Sequence, residues 1–293
     1  MERTTRRWRV YRPYMDSPIL VTGATGNVGR PLVAALRAQG ARVRPASRRN
    51  RDPEGVSFDF VDPSTWQAAF EGVLSMYLVR PPQVTKIDAD LVPALEWARS
   101  CGVRHVVLLS VQGAGRIPVL PHAAIERWLR RSGMKWTFVR PSYFDQNLAE
   151  VFAADIRDRD QIMVPAGNGR TAFVDAVDVA AVTACALLEP EHHYGRVWTP
   201  TSDEALTYTE VAGIMTDVLG RPIEYRRPSI SRYFRHARNV LEFTPPMAMM
   251  TTLIHATARL GMAGHLTDDV RTVTGRAPTT LHEYVLRERN VWE

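Results

Sequence analysis

The sequence is poor in two residue types with distinctive chemistry, cysteine and lysine. It has two cysteines, Cys101 and Cys185, and only Lys86 and Lys135 are lysines among its 37 basic residues. Two cysteines without a C-x-x-C spacing argue against a disulfide framework and against a zinc cluster, so no metal site is expected. The excess of arginine is more typical of a GC-rich genome than of a particular chemistry.

Long hydrophobic runs are also missing. No uncharged apolar stretch approaches the roughly 18 residues of a membrane-spanning helix, so the sequence predicts no membrane segment. The N-terminal stretch is rich in arginine but has no apolar core, unlike a secretory signal. We therefore expect a cytoplasmic protein.

The net charge of +6 is partly a property of the N-terminus. Residues 1–14 contain five arginines and one glutamate, and the rest of the chain is much closer to neutral. A basic tail is weak evidence for a nucleic-acid partner, and none is expected. We predict that residues 1–16 form a disordered extension, with Met15 as an alternative start of the protein.

The pattern along the chain indicates an α/β fold. The 293 residues are 45% hydrophobic and 23% charged, which is ordinary globular composition. Short apolar strands alternate with helices up to about residue 190, which predicts a Rossmann-type, doubly wound parallel sheet over residues 17–190. Later segments are mainly helical, and a capping box at Thr207 and Glu210 opens one helix. Residues 191–293 are therefore predicted to form a smaller substrate-binding lobe.

A glycine-rich loop joins the first predicted strand to the first predicted helix. Its sequence, Gly23-Ala-Thr-Gly26-Asn-Val-Gly29, has the G-x-x-G-x-x-G spacing that lets a backbone approach a pyrophosphate. A glycine-rich structural turn is the alternative. The residues predicted to contact a nucleotide here are Gly23, Thr25, Gly26, Asn27, Val28 and Gly29.

The end of the second predicted strand favours NADP(H) over NAD(H). An NAD site usually has an acidic residue there, about 20 residues after the loop, to bind the ribose 2′-hydroxyl. This chain has Arg48 and Arg49 instead, and its first acids, Asp52 and Glu54, come later. A guanidinium suits a 2′-phosphate, and Arg48 is the better candidate because it is nearer to the strand. The alternative is that both belong to the general excess of arginine.

Further segments accompany the glycine loop: VRPPQV (79–84), LLSVQGA (108–114), RPSYFDQN (140–147), FVDAVDVA (173–180) and TDDVRTVTGRAPTT (267–280). With them the chain resembles the NmrA-like branch of the atypical short-chain dehydrogenases/reductases. That group includes NADP-dependent quinone and triphenylmethane-dye reductases, and redox-sensing regulators that bind the nucleotide without turnover. The resemblance implies the same fold and the same cofactor.

The resemblance also implies roles by position. The expected neighbours are Asp59 and Phe60 for the adenine, Arg80 and Pro81 for the ribose–nicotinamide linkage, and Pro141 and Ser142 for the nicotinamide. Each has a structural alternative. Asp59 could cap a turn, the two prolines 81–82 could end a strand, and Pro141 could mark the exit from another.

The proton donor typical of the wider superfamily is absent. That donor is a tyrosine four residues before a lysine. Pro82 precedes Lys86 at this spacing, and Arg131 precedes Lys135. The candidates for catalysis are instead Ser110, His122 and Tyr143, with a loop hydroxyl, a helix-start residue and a packed ring as the respective alternatives.

The sequence therefore predicts an NADPH-dependent reductase of a small aromatic or conjugated electrophile, such as a quinone, enone, imine or dye. A quinone is electrophilic enough to accept hydride with little help from an acid. Methionines near residue 250 could form a lipophilic pocket or simply a helix core. Two other functions stay open: an NADP(H)-binding regulator without turnover, and a tailoring enzyme for dehydration or cyclisation. The expected partner is a small-molecule substrate, and the protein is expected to be a monomer or a homodimer.

Overall fold

The computed structural model describes residues 17–293. The predicted N-terminal extension, residues 1–16, lies outside this part of the chain. The strands are β1 (Ile19–Thr22), β2 (Val43–Ser47), β3 (Val56–Ser57), β4 (Ser75–Val79), β5 (His105–Leu109), β6 (Lys135–Val139), β7 (Tyr143–Phe144), β8 (Gln161–Ile162), β9 (Arg170–Val174), β10 (Val197–Trp198), β11 (Ala205–Thr207) and β12 (Glu224–Tyr225).

The helices lie between these strands and after them. They are α1 (Gly29–Ala38), α2 (Trp66–Phe70), α3 (Val92–Ser100), α4 (Pro121–Arg131), α5 (Gln146–Ala149), α6 (Ala153–Arg159), α7 (Ala176–Leu188), α8 (Pro190–His193), α9 (Tyr208–Leu219), α10 (Ile230–Asn239), α11 (Pro245–Arg259), α12 (Asp269–Thr274) and α13 (Leu281–Glu288). A 3₁₀ turn at Pro63–Thr65 precedes α2, and a π turn at Ile87–Leu91 precedes α3.

The chain forms two compact units. Among the described residues, the first consists of residues 17–141 together with 176–200 and 269–276. It contains a seven-stranded sheet in the order β10-β6-β5-β4-β1-β2-β3, and every neighbouring pair is parallel. This confirms the predicted doubly wound sheet. The order reverses between β1 and β4, and ligands of open α/β sheets bind outside the carboxyl ends of the strands at such a point.

The strands of the first unit are short and apolar because the parallel sheet is covered on both faces. All four residues of β1 are buried, and α1 turns Leu32, Val33 and Leu36 inward at helical spacing. Gly40, in the left-handed region at φ 75°, follows that helix, as its sequence predicts.

The second unit consists of residues 142–175, 201–268 and 277–293. Its strands form two small sheets, β11-β9-β7 and β12-β8, among helices. Large aromatic side chains fill its core, including Tyr208, Tyr233 and Trp292. The predicted capping box is present at the start of α9, where the Thr207 side chain accepts from the Glu210 backbone N–H.

The extents of these units differ from the predicted division at residue 190. Residues 142–175 lie in the second unit, and residues 191–200 and 269–276 lie in the first. The reason is strand pairing across long sequence distances: β10 pairs with β6, whereas β9 pairs with β7 and β11.

Candidate active site

The glycine loop leaves the carboxyl end of β1 at the point where the strand order reverses. Gly23 has φ 60°, and a Cβ on it would lie 2.4 Å from the Val79 side chain. A Cβ on Gly29 would lie 2.1 Å from the Gly23 carbonyl oxygen. Both glycines are therefore required by the turn and by the packing of α1 against it.

Gly26 differs from these two glycines. Its φ is not positive, and its nearest neighbour for a Cβ is the Gly23 carbonyl oxygen, at 3.3 Å. Gly26 is exposed together with Thr25 and Asn27, whereas Val28 is buried and gives α1 no side-chain cap. The exposed loop and the uncapped helix start fit a pyrophosphate, which would bind to backbone N–H groups there.

The arginines after β2 are available to a ligand, whereas the nearby acids are not. Arg48 and Arg49 are exposed, and neither has an ion-pair partner among residues 17–293. Asp52 accepts two hydrogen bonds from Arg37, at 2.9 and 3.0 Å, and Glu54 accepts a third at 2.8 Å. The Arg37 guanidinium also lowers the pKa of Asp52. A 2′-phosphate would therefore meet cations at this strand end.

Asp59 and Phe60 have structural tasks in the segment after β3. The Asp59 side chain accepts from the Val61 N–H at 3.2 Å, and its carbonyl oxygen accepts from Trp66 Nε1 at 3.0 Å. The Phe60 ring is buried edge-on against Phe58, with 4.7 Å between the ring centroids. The side chains that the resemblance placed beside an adenine therefore cap a turn and fill the core.

Arg80 follows β4 and is held by its own loop. Its Nη1 donates to the carbonyl oxygens of Pro81, Pro82 and Val84, at 3.1, 3.2 and 2.8 Å. Its Nε is buried and has no hydrogen-bond partner among the described residues. Burial lowers the pKa of Arg80.

Ser110, after β5, is bound by a buried carboxylate. Its hydroxyl donates to Glu126 Oε1 at 2.7 Å, and Arg140 Nε donates to the same oxygen at 2.8 Å. Arg140 also donates to Glu126 Oε2, so the pair is bidentate. Ser110 and Glu126 are 1% and 3% exposed. The Ser110 proton is thus directed at Glu126, and the three residues join the ends of β5 and β6 to α4.

His122 lies in the first turn of α4, one helical turn before Glu126. Burial and, to a smaller extent, the Arg80 charge lower the pKa of His122 to about 4, against the opposing effect of Glu126. The ring is therefore neutral at pH 7, so it offers a hydrogen bond rather than a ready proton.

The segment after β6 crosses from one unit to the other. Pro141 is buried in the first unit, and Ser142 is the first residue of the second. The Ser142 hydroxyl is buried without a partner among the described residues, which is consistent with a ligand contact.

Tyr143 also belongs to the second unit. Its ring packs edge-on against Phe173, with the centroids 5.7 Å apart, and lies tilted against the His255 ring at the same distance. Burial and the neighbouring Tyr233 raise the pKa of the Tyr143 hydroxyl. The structure groups this tyrosine with the core aromatics of its unit, so its hydroxyl is a weak acid.

The methionines near residue 250 do not form a core. Met249, Met250 and Leu253 on α11 are 61%, 56% and 65% exposed, and Met262 is 62% exposed. The pocket that the sequence suggested is not enclosed by these side chains within their own unit.

Two residues of the site were not predicted from the sequence, Glu126 and Arg140. The sequence held one sign of Glu126: it is an acidic residue on the same helix face as the apolar Ile125 and Leu129, which are buried. Such a residue needs a cationic partner, but the sequence does not say which one. Residues 17–293 contain no group of side chains suited to a metal ion and no helix long and apolar enough to cross a membrane.

Comparison with known proteins gives matches over almost the whole chain. The model of the NmrA-like family matches residues 15–285. An NAD(P)H azoreductase of Xenophilus azovorans is 32% identical, over 91% of this chain and 96% of its own. A (4-alkanoyl-5-oxo-2,5-dihydrofuran-3-yl)methyl phosphate reductase of Streptomyces griseus is also 32% identical, over 88% and 93%. Among solved structures, an NADPH-dependent quinone oxidoreductase of Escherichia coli, complexed with NADPH, has a TM-score of 0.81 at 22% identity, covering 92% of this chain and 99% of that one.

Proposed function

We propose that this chain, which belongs to the NmrA-like family, is an NADPH-dependent reductase of a small aromatic or conjugated electrophile. The observation that carries the proposal is the glycine loop at an uncapped helix start, beside a strand end with two available arginines. Gly26 and its exposed neighbours would hold the pyrophosphate, and Arg48 the 2′-phosphate. When bound, NADPH supplies a hydride.

The proton donors of the chain narrow the class of substrate. The Ser110 proton is bound by Glu126, His122 is neutral, and the pKa of Tyr143 is raised. No lysine follows a tyrosine at the spacing of the usual pair. The site therefore suits an acceptor that needs little proton assistance, with positioning as the main contribution of the protein.

The names of the two relatives agree with this class. One is named for the reduction of azo compounds and the other for a dihydrofuranone phosphate, and both kinds of compound are conjugated. We infer the same chemical class for this chain, acting on a small molecule in the cytoplasm as a monomer or homodimer. Cys101 and Cys185 are not joined in a disulfide, which agrees with a reducing compartment.

The test is the oxidation of NADPH by the wild-type protein with quinones, azo dyes and enones as acceptors. We expect turnover with at least one class, and tighter binding of NADPH than of NADH. Gly26→Val is the matched control: it should fold, because Gly26 has no positive φ, and should lose nucleotide binding because its side chain would fill the space of the pyrophosphate. Undiminished binding in the folded variant would contradict the assignment of the loop.

A second candidate function is an NADP(H)-binding regulator without turnover. None of the three predicted proton donors is a ready acid, since Ser110 is bound to Glu126, His122 is neutral and the pKa of Tyr143 is raised. A protein without turnover needs no such acid, so this favours the regulator. Tight NADPH binding with no oxidation by any acceptor would support this function and would reject the reductase.

A further inference from the structure

The Arg80 guanidinium has an unusual environment for a partly buried cation. No carboxylate pairs with it among the described residues, and its Nη1 is shared by three carbonyl oxygens of its own loop. The buried Nε has no acceptor. Buried cations are usually paired, and buried donors usually have an acceptor, so this guanidinium is short of a negatively charged partner.

The loop also fixes where the guanidinium lies. Three hydrogen bonds at the end of β4 restrict a side chain that is otherwise flexible, so little entropy is lost when a ligand binds. A preorganised guanidinium is suited to a carboxylate, a sulfonate or a phosphate.

His122 lies on α4 one helical turn before Glu126, whose carboxylate binds Ser110 at the end of β5, the strand next to β4. It is half-buried, its ring makes no hydrogen bond to the described residues, and the neutral ring can donate one. The nearby carboxylate, Glu126, does not neutralise Arg80, because Arg140 and Ser110 occupy both of its oxygens. Arg80 and His122 therefore offer donors without a competing acid.

The anion could come from the nucleotide or from the substrate. The pyrophosphate already has the loop after β1, and the 2′-phosphate has Arg48 after β2. In the sheet, Val79, just before Arg80, pairs with Leu109, just before Ser110. Ser110 donates to Glu126, one helical turn after His122, so Arg80 and His122 follow the neighbouring ends of β4 and β5. The nucleotide phosphates are assigned to the ends of β1 and β2, so the ends of β4 and β5 remain for the substrate.

We propose that Arg80 and His122 form a receptor for an anionic group of the substrate, adjacent to its reducible bond. The substrate class is then a conjugated or aromatic electrophile that carries a carboxylate, sulfonate or phosphate. This inference rests on the proposed reductase function in one respect: the bound anion is a substrate only if the protein is a reductase. The binding of an anionic aromatic molecule can be measured without turnover.

The first test is equilibrium binding to the full chain loaded with NADP⁺. The probes are 2-naphthoate and its neutral counterpart 2-naphthamide, compared by calorimetry. The wild-type protein should bind the naphthoate more tightly. Arg80→Met should weaken naphthoate about 10–100-fold, as expected for a lost charged hydrogen bond, and should leave the naphthamide affinity within about threefold. Any loss of NADPH affinity should be clearly smaller than the loss for naphthoate.

Three further variants complete this test. Arg131→Met removes an exposed arginine at the other end of α4 and should change neither probe. Arg80→Lys keeps the charge without the planar fork, so its naphthoate affinity should lie between wild type and Arg80→Met. Arg80→Gln, which keeps a polar side chain without the charge, decides the matter if Arg80→Met does not fold: naphthoate affinity equal to wild type in Arg80→Gln would overturn the proposal.

The outcomes separate the two levels of inference. Unchanged naphthoate binding in Arg80→Met, or an equal loss of NADPH affinity, overturns the receptor; the second result assigns Arg80 to a nucleotide phosphate. If the protein turns over, its preference in kcat/KM for 1,4-naphthoquinone-2-sulfonate over 1,4-naphthoquinone should be lower in Arg80→Met than in the wild type. The decrease should equal the loss of naphthoate affinity in that variant. Failure to reduce any acceptor rejects the reductase but leaves the binding result intact.

Discussion

At the scale of single residues, the proton of Ser110 is directed at Glu126, at 2.7 Å, and not at a ligand. A sequence motif places a serine at the end of a strand but does not show which acceptor its hydroxyl meets. Glu126 lies 16 residues away and Arg140 another 14 beyond, so their meeting depends on the packing of α4 against the sheet. The motif predicted the position of Ser110 but not its chemistry.

We expect Ser110→Ala to lower the rate of NADPH oxidation less than about tenfold, and the stability by about 1–2 kcal/mol, because only one hydrogen bond to the carboxylate is lost. Arg140→Met should cost about 3–5 kcal/mol, because it leaves Glu126 buried without its bidentate partner. Chemical denaturation and single-turnover kinetics measure the two quantities. A rate loss of about 10²–10⁴-fold in Ser110→Ala would instead identify this serine as the proton donor.

Arg48 carries the predicted preference for NADPH. Arg48→Met should weaken NADPH binding about 10-fold or more and leave NADH binding unchanged, since NADH has no 2′-phosphate for the guanidinium to bind. Arg51→Met is the matched control, because Arg51 is a nearby exposed arginine beyond the strand end. Equal affinities of the wild-type protein for the two nucleotides would remove this role from Arg48.

At the scale of elements, the sequence predicted local structure well where local signals are strong. The capping box at Thr207, the glycine at the end of α1 and the parallel strands β1, β2, β4, β5 and β6 are confirmed. The third strand has only two residues, Val56–Ser57, and the aromatic residues that follow it, Phe58 and Phe60, are buried in the core. The pairing of β9 with β7 and β11 depends on residues far apart in the chain, which periodicity cannot reveal.

The approach of α11 to β9 requires a glycine. A Cβ on Gly169 would lie 1.9 Å from the Ala258 carbonyl oxygen, so Gly169→Ala should destabilise the second unit by about 1–3 kcal/mol or more. Gly213→Ala is the matched control, since Gly213 lies within α9 with open space around it. It should stabilise by about 0.5–1 kcal/mol. Thermal unfolding measures whether each variant is more or less stable than the wild type. An unchanged stability in Gly169→Ala would contradict the close approach of α11 to β9.

At the scale of the whole molecule, buried neutral histidines make stability dependent on acid. Burial lowers the pKa of His105 and of His255 to about 3 each, one in each unit. The unfolded chain protonates these rings near pH 6.5, so the stabilisation is complete above that pH. It falls as the pH drops toward 3, by about 1.4 kcal/mol per pH unit for each histidine.

His255→Phe should therefore make the loss of stability between about pH 6 and pH 4 shallower by about 1.4 kcal/mol per pH unit. Denaturation followed at several pH values measures this slope. A slope equal to that of the wild-type protein would show that His255 is protonated in the folded state.

The interleaving of the two units has a consequence for biosynthesis. The first unit takes β10 and α12 from late parts of the chain, so it is incomplete until residue 276 has left the ribosome. Domains commonly fold one after another during translation, beginning at the N-terminus. Here the first unit as a whole cannot be finished early, because its last helix follows most of the second unit in the sequence. A ribosome that stalls before this point leaves a nascent chain without either completed unit.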